Sequence, residues 1–254
     1  MYPPSDELPL LDCHAHIAAD VTDDQLARLG GAQVFAVTRS LAEAHHIQPD
    51  HGGLVWGCGV HPGDQRALSD FSRDVFTALL ERFVLIGEVG LDRRAGDLDR
   101  QRSVFGDVLK VIAGKPVITS VHSAGASGEV IDLLADHPHA GIILHWFLGS
   151  AAEVAKAADM GAYFSVNAAM PTAQIISLPV DRVLPESDYP VSRRKTKAAL
   201  PGDTRAVEGL LAVAWDMDPL TVRRQLYRNL RRLALTAGAL DRLPEQLADH
   251  LLAA

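Results

Sequence analysis

Near the start of this chain, Asp12-Cys13-His14-Ala15-His16 sets two histidines two residues apart, just after the apolar run Leu8-Pro9-Leu10-Leu11. Side chains on an extended strand alternate with a period of two, so His14 and His16 point to one face. Two imidazoles on one face can grip one divalent metal ion. More metal-capable side chains stand where later apolar runs stop: His61, Glu88, His122, His145 and, after the last run, Asp188. Any one of them has a mundane alternative, because a histidine that caps a strand or is satisfied in a core is the commoner case. Seven such residues at one rim by chance is implausible.

Imidazoles and carboxylates without thiolate suit Zn²⁺, Mn²⁺, Fe²⁺, Co²⁺ or Mg²⁺. With His61 left aside, the set is too large for one tetrahedral ion with an open position. A pair of ions bridged by a carboxylate and a water uses it naturally. Such a pair lowers the pKa of the water and clamps a phosphoryl or carbonyl oxygen, which points to hydrolysis.

The rim follows from the elements around these residues. Eight short apolar runs recur: Leu10–Asp12, Gln33–Val37, Leu54–Cys58, Val84–Gly87, Pro116–Val121, Gly141–Leu144, Ala162–Val166 and Arg182–Leu184. Between them lie helix signals, such as the cap and first-turn acids of Thr22-Asp23-Asp24 and the cap Ser150. Strands alternating with helices imply parallel βα units, and eight units in this length fit an α/β fold, a (β/α)8 TIM-type barrel. In such barrels the working residues stand at the C-terminal ends of the strands. The expectation is one domain spanning residues 1–254. The tail from Leu220 to Leu235 carries an apolar stripe, Val222, Leu226, Leu230 and Leu233, ringed by arginines. It reads as a helix closing the barrel rather than a membrane or nucleic-acid binder. Leu240 onward reads as a short surface helix.

Composition narrows the function. The net charge of −8 does not attract nucleic acid globally, so a polyanion site must be a local basic patch or a metal centre. Cys13 and Cys58 are too few for a disulfide framework and read as reduced and buried. Met1–Asp6 shows no signal-peptide pattern, and no apolar run approaches the ~20 residues of a membrane span, so a cytoplasmic protein is expected.

The same residues carry a family resemblance. Asp12-Cys13-His14-Ala15-His16, Gly59-Val60-His61-Pro62, Gly87-Glu88-Val89-Gly90-Leu91-Asp92, His122-Ser123, His145-Trp146-Phe147-Leu148-Gly149 and Glu186-Ser187-Asp188-Tyr189-Pro190 occur in order. Gln101, Phe105 and Asn229-Leu230-Arg231-Arg232-Leu233 extend the set. Over roughly residues 10 to 235 the chain resembles TatD-like metal-dependent deoxyribonucleases. That resemblance implies two divalent ions (Mg, Mn or Zn), with His14, His16 and Asp188 on one, His122 and His145 on the other, and Glu88 bridging. It further implies that Glu186 orients a ligand or the water, that His61 faces the phosphate or leaving group, and that DNA is cleaved, often from an end.

Three departures bear on substrate. The family's H-x-R on strand 5 is here His122-Ser123-Ala124, its HCFSG motif is His145-Trp146-Phe147-Leu148-Gly149, and its ETDxP motif is Glu186-Ser187-Asp188-Tyr189-Pro190. Ser192-Arg193-Arg194-Lys195-Thr196-Lys197, the densest basic run, follows strand 8 on a loop expected to overhang the metals. Arg193, Arg194 and Lys195 are candidate phosphate contacts, and Trp146 and Tyr189 candidate base-stacking surfaces. The chain is also similar to the TatD-like member of the Qat antiphage systems, which implies partner proteins of a defence system. Two alternatives remain: a dinuclear hydrolase of a small ester, amide or phosphoester, favoured by a closed apolar pocket under Leu148 and Trp146, and a barrel that serves a larger complex mainly as a binding surface.

Overall fold

Each of the eight apolar runs forms a strand: β1 Leu11–Ala15, β2 Gln33–Ala36, β3 Val55–Cys58, β4 Leu85–Gly90, β5 Ile118–His122, β6 Ile142–Leu144, β7 Tyr163–Val166 and β8 Val183–Pro185. The computed structural model describes residues 8–49, 51–191 and 193–254. The N-terminal segment Met1–Asp6 and Ser192 lie outside the described residues. The strands form one sheet in sequence order, and every neighbouring pair is parallel. Burial along them is almost continuous, as expected of a parallel sheet covered by helices outside and packed side chains inside. The barrel is nearly closed. At its seam Asp188 N donates to the His14 carbonyl (3.0 Å) and His16 N donates to the Tyr189 carbonyl (2.7 Å). The hydrogen bonds that bring β8 to β1 are thus made by the residues expected to hold metal.

Local signals set the helices. Thr22 and Ser150 each close a capping box, with Gln25 and Glu153, which satisfies first-turn N–H groups that have no partner within the helix. The tail forms the helix Pro219–Thr236, and its stripe Val222, Leu226, Leu230 and Leu233 is fully buried. On that helix the buried Asn229 donates from Nδ2 to the Val180 and Val183 carbonyls, both at 2.8 Å, pinning the tail under the start of β8. Arg223 pairs with Glu208 and Arg232 with Asp181, so this basic helix spends charge on the barrel itself. Beyond it, the helix Glu245–Ala253 buries Leu247 and Leu251 against the body. Among the described residues no helix is long and apolar enough to cross a membrane.

Two strands differ from the sequence expectation where chemistry is concerned. His14 and Glu88 do not end their strands. The β1–β2 register shifts between Asp12 and Ala15, and the β4–β5 register shifts between Ile86 and Val89. Such irregularities turn a side chain out of strict alternation. His14 and Glu88 each stand inside one, and β4 runs on to Gly90.

Gly59, just past β3, marks how tightly the frame closes on Glu88. A Cβ at Gly59 would lie 2.2 Å from both Glu88 N and Gly87 C, which are backbone atoms with no freedom to yield. Gly59→Ala should therefore push β4 away, lowering stability by about 1–3 kcal/mol and weakening Mn²⁺ binding through Glu88. Thermal melts and calorimetric titration read both; an unchanged Mn²⁺ affinity would show that Glu88 does not depend on this approach.

Candidate metal centre

Glu88 is the hub. Its side chain is 1 % exposed, and its Oε2 lies 3.5 Å from His14 Nε2, 3.3 Å from His16 Nε2 and 3.4 Å from His61 Nε2. Its Oε1 meets His122 Nδ1 and stands 3.6 Å from His145 Nε2. Asp188 Oδ1 is 3.9 Å from His14 Nε2, and the His14 and His145 rings stack at 3.7 Å. Residues within β1, β4 and β5 and just beyond β1, β3, β6 and β8 thus converge on one point. Three groups could each hold an ion: His14, His16 and Glu88; His14, His145 and Asp188; and His61, Glu88 and His122.

Groups behind the imidazoles decide which nitrogen faces the centre. Nδ1 of His145 donates to Glu186 Oε2 (2.9 Å), which leaves the Nε2 lone pair forward. Nε2 of His122 donates to Asp92 Oδ2 (3.3 Å), turning Nδ1 toward Glu88. Nδ1 of His14 bonds Ser120 Oγ (2.8 Å), so its Nε2 points inward. Carboxylate or hydroxyl partners of this kind orient metal-binding histidines. His61 is held the other way. Its Nδ1 accepts from Gly63 N (2.9 Å), so the neutral ring carries its proton on Nε2 and offers a donor rather than a lone pair.

The centre is short of positive charge. Burial pushes His14 and His61 down to about 4, which keeps both neutral. Burial also opposes charge on His145, but Glu186, Glu88 and Asp188 outweigh it and lift that ring to about 10. His122 is raised against its burial by Glu88 and Asp92. Glu88 is held well below the usual carboxylate range, since His122 and His61 overcome its burial. Burial drives Asp188 up to about 7. The carboxylates around His122 and His145 thus favour positive charge at this point.

Among the described residues, His14 Nε2 and Glu88 Oε2 are buried, face one another and have no hydrogen-bond partner. A buried polar atom left unpaired costs on the order of 1–3 kcal/mol, and more when charged. A divalent cation among them would satisfy both and supply the positive charge that the carboxylates favour, so the residues present fit the group.

Glu186 does not face this point. Its Oε1 accepts from Asn167 Nδ2 (2.8 Å), and its Oε2 accepts from Ser165 Oγ and His145 Nδ1. Both oxygens are committed, so it positions His145. In Glu186→Gln the amide sets a donor against a donor. The expected result is roughly 10–100-fold weaker Mn²⁺ binding by calorimetry, with the circular dichroism spectrum unchanged; wild-type affinity would refute the positioning role.

Asp188 has φ 48°, a left-handed conformation that aspartate tolerates better than most residues. Trp146 is half-buried, with φ 41° and its ring edge-on to His145 at 6.4 Å. The basic run is a helical turn, Arg193–Thr196, rather than the expected loop. Arg193 lies over the Tyr189 ring at 5.7 Å, which ties that turn to the β8–β1 seam. None of Arg193, Arg194 and Lys195 touches the centre in the structure.

Asp92, Ser120, Ser165, Asn167 and Asp12 act behind the ligands, and hydrophobic periodicity does not mark them. Two signals were available. Ser120 precedes His122 by two on the same face of β5, and Asp92 closes the run Gly87–Asp92.

Residues 11–234 match the family described as TatD related DNase. The chain belongs to that family. Human deoxyribonuclease TATDN3 is 28% identical over 216 residues, 71% of this chain and 78% of that protein. The Escherichia coli K12 metal-dependent hydrolase YcfH is 28% identical over 208 residues, 71% of this chain and 77% of its own length. The 3'-5' ssDNA/RNA exonuclease TatD of Klebsiella pneumoniae is 27% identical over 204 residues, 69% of this chain and 78% of that protein. Among solved structures, the TatD homolog YjjV of E. coli superposes with a TM-score of 0.72 at 22% identity, over 88% of this chain and 97% of that one. Gln101, part of the TatD-like motif set, is fully buried. It accepts from Asp92 N (2.7 Å) and donates to the Asp92 and Gly96 carbonyls. It thereby anchors the loop that presents Asp92 to His122.

Proposed function

We propose that this TatD-family chain is a metal-dependent phosphodiesterase that trims single-stranded DNA from an end, using two divalent ions (Mg, Mn or Zn). His14, His16 and Asp188 would hold one ion, His122 and His145 the other, and Glu88 both. The observation that carries this reading is the convergence of buried, unpaired His14 Nε2 and Glu88 Oε2 with outward-bonded His122 and His145. Ions bound there supply a water of lowered pKa and positive charge for a phosphoryl oxygen. The chain does the rest. Ser120, Asp92 and Glu186 hold three imidazoles in the ligand orientation. His61 presents Nε2–H, a donor suited to an oxygen of the phosphate or of the leaving group. Arg193, Arg194 and Lys195 on the exposed turn beyond the seam suit the backbone of a strand.

The small-molecule alternative loses support at Leu148, which is 56 % exposed and forms no lid. An open rim suits a polymer. An enzyme that trims DNA ends is chemically suited to an antiphage setting. Purified protein with Mn²⁺ or Mg²⁺ is expected to shorten end-labelled single-stranded DNA stepwise, and chelation to stop it. Hydrolysis of bis(p-nitrophenyl) phosphate with no cut DNA would replace this reading with the small-molecule one; inertness toward both would favour the binding barrel.

A further inference from the structure

The cations of the catalytic rim are unevenly spent. On the β4–β5 side they are neutralised: Arg93 donates to the Gly125 carbonyl and pairs with Glu129, Arg94 pairs with Asp92, and Arg102 pairs with Glu129 and Asp99. The end of β5 itself supplies no cation, because His122 is followed by Ser123 and Ala124. On the other side the charges are free of carboxylates. After β8, Arg193 rests on Tyr189, and among the described residues Arg194 and Lys195 have no acidic partner. After β2 stands Arg39, exposed, its guanidinium without a hydrogen bond or ion pair among the described residues.

Arg39 is fixed by its backbone rather than by its head. Its N–H donates to Glu43 Oε2 (2.7 Å), and its carbonyl accepts from His61 N (2.9 Å). The residue that carries this unpaired charge is therefore bonded to the residue that offers Nε2–H to the centre. Its positive charge reaches the His61 ring. A long, solvated cation beside a reactive pocket, with the local carboxylate engaged on its own amide, is placed to meet an anion that arrives with the substrate.

We propose that Arg39 contacts a backbone phosphate of the substrate strand next to the one at His61, so that the strand crosses the rim along the β8–β1–β2 side. This rests on the reading of the site as a nucleic-acid phosphodiesterase. It gives the chain a phosphate contact on β2 where β5 has none. It also makes the nearly closed seam at β1 the floor of the path, with the Arg193–Thr196 turn on one side and Arg39 on the other.

Binding without cleavage tests the idea separately from the chemistry. Fluorescence anisotropy of a labelled single-stranded DNA oligonucleotide in EDTA, over a salt series, would compare wild type, Arg39→Gln, Arg39→Lys and Arg93→Gln. Loss of one charge-assisted contact should weaken binding roughly tenfold in Arg39→Gln. The same loss should reduce the log–log salt slope by about 0.7. Arg39→Lys should keep the slope, and Arg93→Gln, which removes an already neutralised charge from the same rim, should change neither quantity. Equal effects of Arg39→Gln and Arg93→Gln, or no effect of Arg39→Gln, overturn the proposal, as does wild-type protein that binds no oligonucleotide. Arg39-dependent binding by a protein that cuts no DNA with Mn²⁺ or Mg²⁺ would leave this contact standing and remove the hydrolase reading instead.

Discussion

Glu88→Gln is expected to abolish DNA cleavage, by about a thousandfold or more, while the protein still folds. The substitution keeps the volume of a side chain that is 1 % exposed and removes only its charge. Glu88 is the one carboxylate within 4 Å of His14, His16, His61, His122 and His145 among the described residues. An amide there cannot serve two cations, and it turns an N–H toward imidazole lone pairs. Metal titration should lose high-affinity binding at both positions, not at one. Activity within tenfold of wild type, or retention of one full-affinity ion, would show that Glu88 is not shared.

The second large effect is expected at a carboxylate outside the ligand set. Asp12 is fully buried in β1, and its carboxylate accepts from His14 N (3.2 Å), Ser187 N (2.9 Å), Ser187 Oγ (2.5 Å) and Gly202 N (2.8 Å). Burial pushes it up to about 6 even with these donors around it. One carboxylate thus ties β1 to the segment carrying Asp188 and to the chain 190 residues further on. Asp12→Ala leaves these buried donors unpaired, at about 1–3 kcal/mol each. A total of about 4 kcal/mol, the low end for four donors, corresponds to a fall in Tm of about 10 °C for a domain of this size. Weaker Mn²⁺ binding should accompany it, because Asp188 N donates to the His14 carbonyl across the same seam. A Tm lowered by less than 2 °C with unchanged affinity would show that the seam holds without Asp12.

Much of the site was legible because a parallel barrel converts order along the chain into position around a ring. Each apolar run is a strand, each strand ends at the same rim, and a histidine or acid at the end of a run arrives there whatever its neighbours. His16, His61, His122, His145 and Asp188 could be placed on that basis. His14 and Glu88 reach the same point by another route. They stand inside strands at register shifts, and a bulge leaves no mark in hydrophobic periodicity.

The chain's residue order by itself determined the eight strands, the rim, the ligand types and the family resemblance. Those depend on local periodicity and on which residues interrupt it. Only the tertiary structure decided what each polar group does. Glu186 and Asp188 are two residues apart, yet one is spent on His145, Ser165 and Asn167 while the other reaches His14 across the seam. Arg39 and Arg93 stand after different strands of the same rim, yet among the described residues the first guanidinium has no acidic partner and the second is neutralised. The reason is physical: the role of a buried carboxylate, an imidazole nitrogen or a guanidinium is set by its partners. Here the partners lie from 2 to 190 residues away, and only folding brings them within hydrogen-bond reach.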